Sequence, residues 1–183
     1  MNNFEFIILF ASFAVCLSLV WSSLRSGITP VPSSNKAKRT ILQAADRSSF
    51  GTIIELGSGW GTLALALAEK HPHRQVIGYE ISPIPWFVSW CLKKIKRLDN
   101  LNLRRQNFIS VELPPSTLLV CYLYPGGMSK LAEKIEKEKP QVEILISNTF
   151  ALPGVEPEQV IRLRDLYKSP IYVYRLVGSD IEK

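Results

Sequence analysis

The sequence predicts an α/β fold: a mostly parallel β-sheet with helices on both faces and a C-terminal antiparallel hairpin, preceded by one N-terminal transmembrane helix. Three observations predict it. From residue 52 onward, short apolar runs alternate with helical patterns. The loop Gly57-Ser58-Gly59-Trp60-Gly61 joins the first run to the first helical pattern, and residues 6–21 are apolar without a single charge.

Size and composition fit that architecture. A chain of 183 residues, 46% hydrophobic and 21% charged, has room for one ordinary domain and an appendage, and is globular rather than disordered in character. Its net charge of +6 permits an acidic partner, nucleic acid or an anionic membrane surface and selects none of them. A solvated basic face is the plainer explanation. Cys16, Cys91 and Cys121 form no CxxC pair and lie in apolar contexts, where a free thiol behaves as a small hydrophobe, so neither a disulfide nor a structural metal is expected. His71 and His73 flank Pro72 with no Cys or carboxylate companions, and read as loop residues rather than ligands.

The apolar run FIILFASFAVCLSLVW, extended by its neighbours to residues 4–24, has about the length that spans a bilayer. A cleaved signal peptide needs a positive segment before the run, and Met1 to Glu5 offers none, so a retained anchor is the favoured reading. A helix buried on all sides within the domain is a third reading. Arg25, Lys36, Lys38 and Arg39 follow the run, whereas only Glu5 and the amino terminus precede it, which places the rest of the chain on the cytoplasmic side. Residues 25–34, rich in Pro and Ser, read as an extended linker, residues 35–177 as the domain, and residues 178–183 as a polar tail.

Within the domain, Asn35 or Ser34 caps a helix running to about Asp46, with Ala37, Ile41, Leu42 and Ala45 at helical spacing. Strand, helix, strand and helix follow at 52–56, 62–70, 75–79 and 86–98, then strands at 101–104, 118–123 and 142–147. A helix over 129–139 carries the i,i+4 pair Glu133 and Lys137. Parallel strands need such crossovers. Residues 106–117 contain Pro114-Pro115 and are short for a full helix, so a reduced connection is expected there. Residues 160–167 and 171–176 read as two strands around a tight turn at Lys168-Ser169-Pro170, although Val160, Leu163 and Tyr167 also fit a helix.

The chemistry concentrates around Glu55-Leu56-Gly57-Ser58-Gly59-Trp60-Gly61, where a strand ends and a helix opens in a Rossmann-like arrangement. Glycines there allow a tight turn and close approach of a ligand to the backbone. The spacing is GxGxG, and Thr62 stands where the dinucleotide fingerprint has its third glycine, which points away from pyrophosphate binding. Glu80, at the end of the second strand, is placed to accept hydrogen bonds from two ribose hydroxyls.

On these residues, Glu55 to Gly61 resembles motif I, and Gly78-Tyr79-Glu80 the second motif, of the class I S-adenosylmethionine methyltransferases. More narrowly, the chain resembles the membrane-anchored seven-β-strand lysine methyltransferases, typified by the mitochondrial enzymes that modify the adenine nucleotide translocase and the c-subunit of ATP synthase. The apolar N-terminus, Thr29-Pro30-Val31-Pro32, Pro83 or Pro85 with Trp86, and Tyr122-Leu123 ahead of Pro125 extend the likeness over nearly the whole chain. The resemblance implies S-adenosyl-L-methionine as cofactor, with Glu55 near its amino group, Gly57 and Gly59 under its backbone, and Ser58 and Gly61 as further binding residues of the same loop. It also implies Glu80 on the ribose, Ile81 among the cofactor-binding residues, and Asn107 and Phe108 at the adenine. Trp60 replaces an Asp common in that loop, and Ser147-Asn148-Thr149-Phe150 replaces a frequent Ser-His pair.

Tyr122, Tyr124 and Asn148 lie near the carboxyl ends of central strands, where open α/β sheets place ligands, and are the candidate catalytic residues. Methyl transfer from a sulfonium chiefly asks that donor and acceptor be held in line. The expected acceptor is a lysine of a membrane-associated protein, with a small molecule, a lipid or RNA as alternatives and a non-catalytic membrane-tethered binding module as another. Leu123-Tyr124-Pro125-Gly126 lacks the Asn-Pro-Pro-Tyr or Asp-Pro-Pro-Tyr signature associated with methylation of exocyclic base nitrogens. The segment from Trp86 to Arg97 holds a stripe of Phe87, Val88, Cys91, Leu92 and Ile95, expected to be buried, with lysines complementing the helix C-terminus; nucleic-acid binding through it is not favoured.

Overall fold

The structure, a computed structural model, describes residues 33–48 and 51–176, together with the separate positions Glu5, Phe6, Leu9, Phe10 and Phe13. Apart from those positions, the expected membrane span at 4–24 lies outside the described residues, as do most of the linker and the polar tail. Among the described residues no helix is long and apolar enough to cross a membrane.

In chain order the elements are α1 (Asn35–Ala45), β1 (Ile53–Leu56), α2 (Thr62–Lys70), β2 (Val76–Tyr79), α3 (Pro83–Lys96), β3 (Leu101–Arg104), a 3-10 turn (Phe108–Ser110), β4 (Ser116–Cys121), α4 (Pro125–Glu138), β5 (Val142–Asn148), β6 (Gln159–Arg162) and β7 (Pro170–Arg175). They build one sheet in the order β3-β2-β1-β4-β5-β7-β6. The first five strands are parallel; β7 runs antiparallel to β5 and pairs with β6 as a hairpin. In register, Leu56 sits beside Tyr79 and Cys121, and Cys121 beside Ser147, so the carboxyl ends of β1, β2, β4 and β5 form one rim.

A parallel sheet must be covered on both faces, and β1 and β2 are buried throughout. On one face Ile53, Val76, Leu118 and Ile144 pack against Ala37, Ile41, Ala44 and Ala45 of α1 and Leu63, Ala64, Leu67 and Ala68 of α2, with Trp86 and Leu92 of α3 at the margin. Alanines let the two helices lie close. On the other face Ile54, Leu56, Leu119 and Leu145 meet Met128 and Leu131 of α4 and Leu113 of the β3–β4 connection. Two polar hubs fix the end opposite the rim: Arg74 donates to the carbonyls of Ser48 and Gly51, and the Asn100 amide nitrogen to those of Ala68, His71 and Arg74.

Several elements depart from the sequence-based expectation. Of the two residues expected to cap α1, it is Ser34 that does so, its hydroxyl accepting the Ala37 N–H at 3.1 Å. Helix α3 starts at Pro83 rather than 86, and α4 at Pro125 rather than 129, because proline is at home in a first turn whose N–H groups need no helical partner. The ion pair along α4 joins Lys134 to Glu138 at 2.7 Å, rather than Glu133 to Lys137. Strand β4 ends at Cys121, leaving Tyr122 and Leu123 in the loop. The hairpin forms, but β6 stops at Arg162 and residues 163–169 make a longer connection than a tight turn, held by Asp165 accepting the Ser169 N–H. The expected buried stripe of α3 is partly reversed: Pro85 and Ser89 are buried, while Phe87 and Ile95 face solvent.

Candidate functional site

The rim at the carboxyl ends of the strands collects the residues singled out from sequence. After β1 the chain turns sharply, with Gly57, Gly59 and Gly61 all at positive φ (76°, 52° and 78°). Gly57 and Ser58 N–H both donate to the Tyr79 carbonyl, at 2.9 and 2.8 Å, which hooks the loop over the end of β2. Gly61 has no substitute: a Cβ there would lie 2.6 Å from Ser89 Cβ of α3. The left-handed backbone excludes other residues for a second reason.

Glu80 holds this turn together. One of its oxygens accepts the Gly59 N–H and the other the Ser82 N–H, each at 2.7 Å. The carboxylate is nearly buried, yet each oxygen keeps a further lone pair for a hydroxyl. The Ser82 contact is local, a carboxylate accepting from the N–H two residues on at the entry to α3, and periodicity does not report such a bond.

Glu55 belongs to the central strand and is buried. Strand alternation turns it to the α2 side, where the Ala64 N–H in the first turn of that helix bonds to it. Burial pushes the carboxyl well above its ordinary value, the Ala64 hydrogen bond draws it back, and the charge of nearby Glu80 raises it again. Its Oε2 and the hydroxyl of Ser58 are buried with no hydrogen-bond partner among the described residues. An orphaned acceptor and an orphaned hydroxyl in one strand and loop, beside the Glu80 carboxylate with its remaining lone pairs, fit a ligand with an ammonium group and hydroxyls. A third such atom, His71 Nε2, lies at the far end of α2, 3.7 Å from Asp46 Oδ1.

The remaining positions are spread around the rim. Ile81 is exposed, directly after Glu80. Asn107 is exposed, and its side-chain oxygen is engaged in capping the 3-10 turn through the Ile109 N–H at 3.0 Å. Phe108 packs against the α4-side core. Lys134 of α4, absent from the sequence-based set, donates to the Val111 carbonyl at 2.7 Å and the Ile109 carbonyl at 3.4 Å and so clamps that turn from below.

Leu123 abuts Gly57, at 3.2 Å from the position a Cβ would take, which brings the β4–α4 loop against the glycine loop. Tyr122 stacks on Phe150, with ring centroids 6.3 Å apart. The Tyr124 ring folds over the start of α4, and only glycine leaves it room, since a Cβ on Gly126 would be 2.7 Å from the ring. Asn148 is buried, and its side-chain oxygen accepts from the Thr149 hydroxyl at 3.1 Å. Thr149 itself holds a left-handed φ of 69°, a strained conformation for a β-branched residue. Cys121 is buried beneath this loop, and burial pushes its thiol up to about 12, which leaves it inert as a nucleophile.

Comparison with known proteins centres on the same span. The family model described as ANTKMT methyltransferase domain matches residues 55–159, from Glu55 to the first residue of β6. A protein-lysine N-methyltransferase of Saccharolobus islandicus (strain REY15A) is 25% identical over 138 residues, covering 74% of this chain and 84% of that protein. A lysine N-methyltransferase of Xenopus laevis, named for the C-subunit of ATP synthase, is 26% identical over 157 residues, 83% of this chain and 67% of that protein. Among solved structures, an RNA methyltransferase from Salinibacter ruber in complex with S-adenosyl-L-homocysteine superimposes with a TM-score of 0.70. That likeness covers 84% of this chain and 100% of that one at 20% identity, and it is a likeness of fold.

Proposed function

The chain belongs to the ANTKMT methyltransferase domain family, and on that premise we propose that it moves a methyl group from S-adenosylmethionine to the ε-amino group of a protein lysine. The observation that carries this reading is the coincidence of the family match with a rim holding two buried carboxyls, Glu55 and Glu80, on either side of a positive-φ glycine turn. Glu55 receives the amino group of the cofactor, Gly57, Ser58, Gly59 and Gly61 line its backbone, and Glu80 accepts from its ribose. Ile81, Asn107 and Phe108 border the adenine. The bound cofactor supplies an electrophilic methyl group on a sulfonium.

The residues of the chain orient the acceptor and let it lose a proton. Tyr122, Tyr124 and Asn148 supply polar groups at the rim, and the half-buried Tyr122–Phe150 stack narrows the approach for a lysine side chain. A lysine amine moved from water into such a channel loses part of the hydration of its charged form, which lowers its pKa towards the neutral nucleophile. Asn148 can hydrogen-bond an amine as acceptor but cannot serve as base, so proton release to solvent falls to the channel.

The acceptor we favour is a lysine of a membrane-associated protein, with the chain held by residues 4–24 as a single-pass anchor, joined by the linker 25–34 to the catalytic domain 35–177 on the cytoplasmic side. The uncharged run and the basic residues after it support that reading. Two measurements test the proposal on the full chain. Isothermal titration with S-adenosylhomocysteine should show micromolar binding, about −8 kcal/mol, and Glu80→Ala should weaken it by at least about 1.5–3 kcal/mol. Mass spectrometry of membrane proteins from cells with and without the gene should show methylated lysines that depend on it. Binding without any gene-dependent methylation would favour a tethered binding module instead.

A further inference from the structure

Helix α3 packs Trp86 and Leu92 against the core, yet it also shows a second apolar stripe to water. An amphipathic surface helix hides its apolar stripe and shows charge to water, but α3 buries Pro85 and Ser89 and turns Phe87 (55% exposed), Trp90 (38%) and Ile95 (76%) outward. Phe87 and Trp90 stack with ring centroids 6.1 Å apart, and the Lys94 amine sits 5.7 Å from the Trp90 ring. Ile81, 40% exposed, lies two residues ahead of the helix, next to Glu80 of the rim. Lys93, Lys94 and Arg97 cluster at the C-terminal end of this face, with Asp99 as the acid that follows, and none of the ion pairs among the described residues engages them. Lys96 points away, to Glu69 at 2.5 Å.

We propose that this outer face of α3 docks on an anionic bilayer surface. Contiguous exposed apolar side chains mark an interaction site, and the charges decide its partner. Lysines and an arginine flanking Phe and Trp match acidic headgroups above acyl chains, with the indole at the boundary and the cationic stems reaching up to the phosphates. A second copy of the same face would bring Lys93, Lys94 and Arg97 against their own kind. The apolar run near the amino terminus is followed by Arg25, Lys36, Lys38 and Arg39, which again sets basic against basic. RNA would find cations but no use for the exposed Ile95. Docked in this way, α3 lays Ile81 and the adjoining rim next to the headgroups. The inference needs no assumption about the acceptor.

Cys91 is a native probe, half-buried on the helix that docks, whereas Cys121 is buried. The full chain is reconstituted into phosphatidylcholine vesicles, with and without phosphatidylserine, and the rate at which a water-soluble maleimide modifies Cys91 is read by peptide mass spectrometry. Anionic vesicles should slow the reaction several-fold relative to neutral ones, high salt should restore it, and the triple variant Lys93→Glu, Lys94→Glu, Arg97→Glu should abolish the difference with its thermal melting unchanged. A second variant, Phe87→Ser with Trp90→Ser, should lose the protection without a change of charge. Equal rates in the two lipids would overturn the proposal. So would protection already present in detergent, which would assign the face to a second copy or to the N-terminal segment, or protection by RNA but not by lipid. No step of the test reads methyl transfer, so it stands or fails apart from the enzymatic reading.

Discussion

Glu55 presents the sharpest physical question at the level of single residues, a carboxyl in a central strand with one oxygen unpartnered among the described residues. Below its ordinary value of 4.5 the folded and unfolded chains both hold the proton. As pH rises further the unfolded chain ionises first, because the folded value is raised, so this group's contribution to stability is lost as pH climbs towards that folded value. Glu55→Gln should therefore melt with the wild type in acid and above it near neutrality, the gap widening with pH. An ammonium partner reverses the preference by favouring the carboxylate, so wild-type affinity for S-adenosylhomocysteine should rise with pH above the ordinary carboxyl value of 4.5, as long as the α-amino group stays charged. In Glu55→Gln that rise should vanish, with a loss of about 1.5–3 kcal/mol; a pH slope that survives would remove Glu55 from the amino-group site. Gly61 carries a second prediction. Alanine there meets Ser89 at 2.6 Å in a left-handed backbone, adding about 1–2 kcal/mol of backbone strain to about 1–3 of overpacking. A fall in Tm of roughly 5–15 °C is expected, and an unchanged Tm would mean that α2 and α3 approach less closely than described.

Among the elements, strands and helices were legible because periodicity and glycine placement speak for the main chain, and their starts were less so. Ser82-Pro83 and Tyr124-Pro125 begin helices where proline reads at first as a breaker, and the outward turn of α3 is invisible to periodicity, which reports a stripe but not the side that meets the core. The glycine loop and Glu80 were readable from spacing; the bond from the Gly59 N–H to Glu80, the Tyr122–Phe150 stack and the Lys134 clamp were not, since each joins segments distant in sequence. Lys134 gives the prediction at this scale. Its side chain is only 3% exposed and binds two carbonyls of the β3–β4 connection as well as Glu138. Lys134→Met keeps the stem and removes the donor, leaving the Val111 carbonyl without its partner at a cost of about 1–3 kcal/mol. Limited proteolysis should then cut within residues 105–115 sooner than in the wild type. Unaltered cleavage there would show that the turn is held by Phe108 and Leu113 packing instead.

At the scale of the whole molecule, the alternation of strands and helical patterns carried the topology, since parallel neighbours demand crossovers and the hairpin closes the sheet from its far edge. What alternation could not convey is the imbalance between the two faces. Three helices line one side, while the other relies on α4 and on two connections, residues 105–115 and 149–158, that contain no α-helix. A main chain without regular hydrogen bonds opens to solvent at little free-energy cost, whereas strands between packed helices open only with the whole domain. Amide deuterium exchange should accordingly divide the molecule in two, slow in β1, β4, α1 and α2 and fast in both irregular connections. Those connections hold Asn107, Phe108 and Phe150, so a ligand settling on the rim would slow exchange chiefly in the half of the fold that is otherwise quickest to breathe.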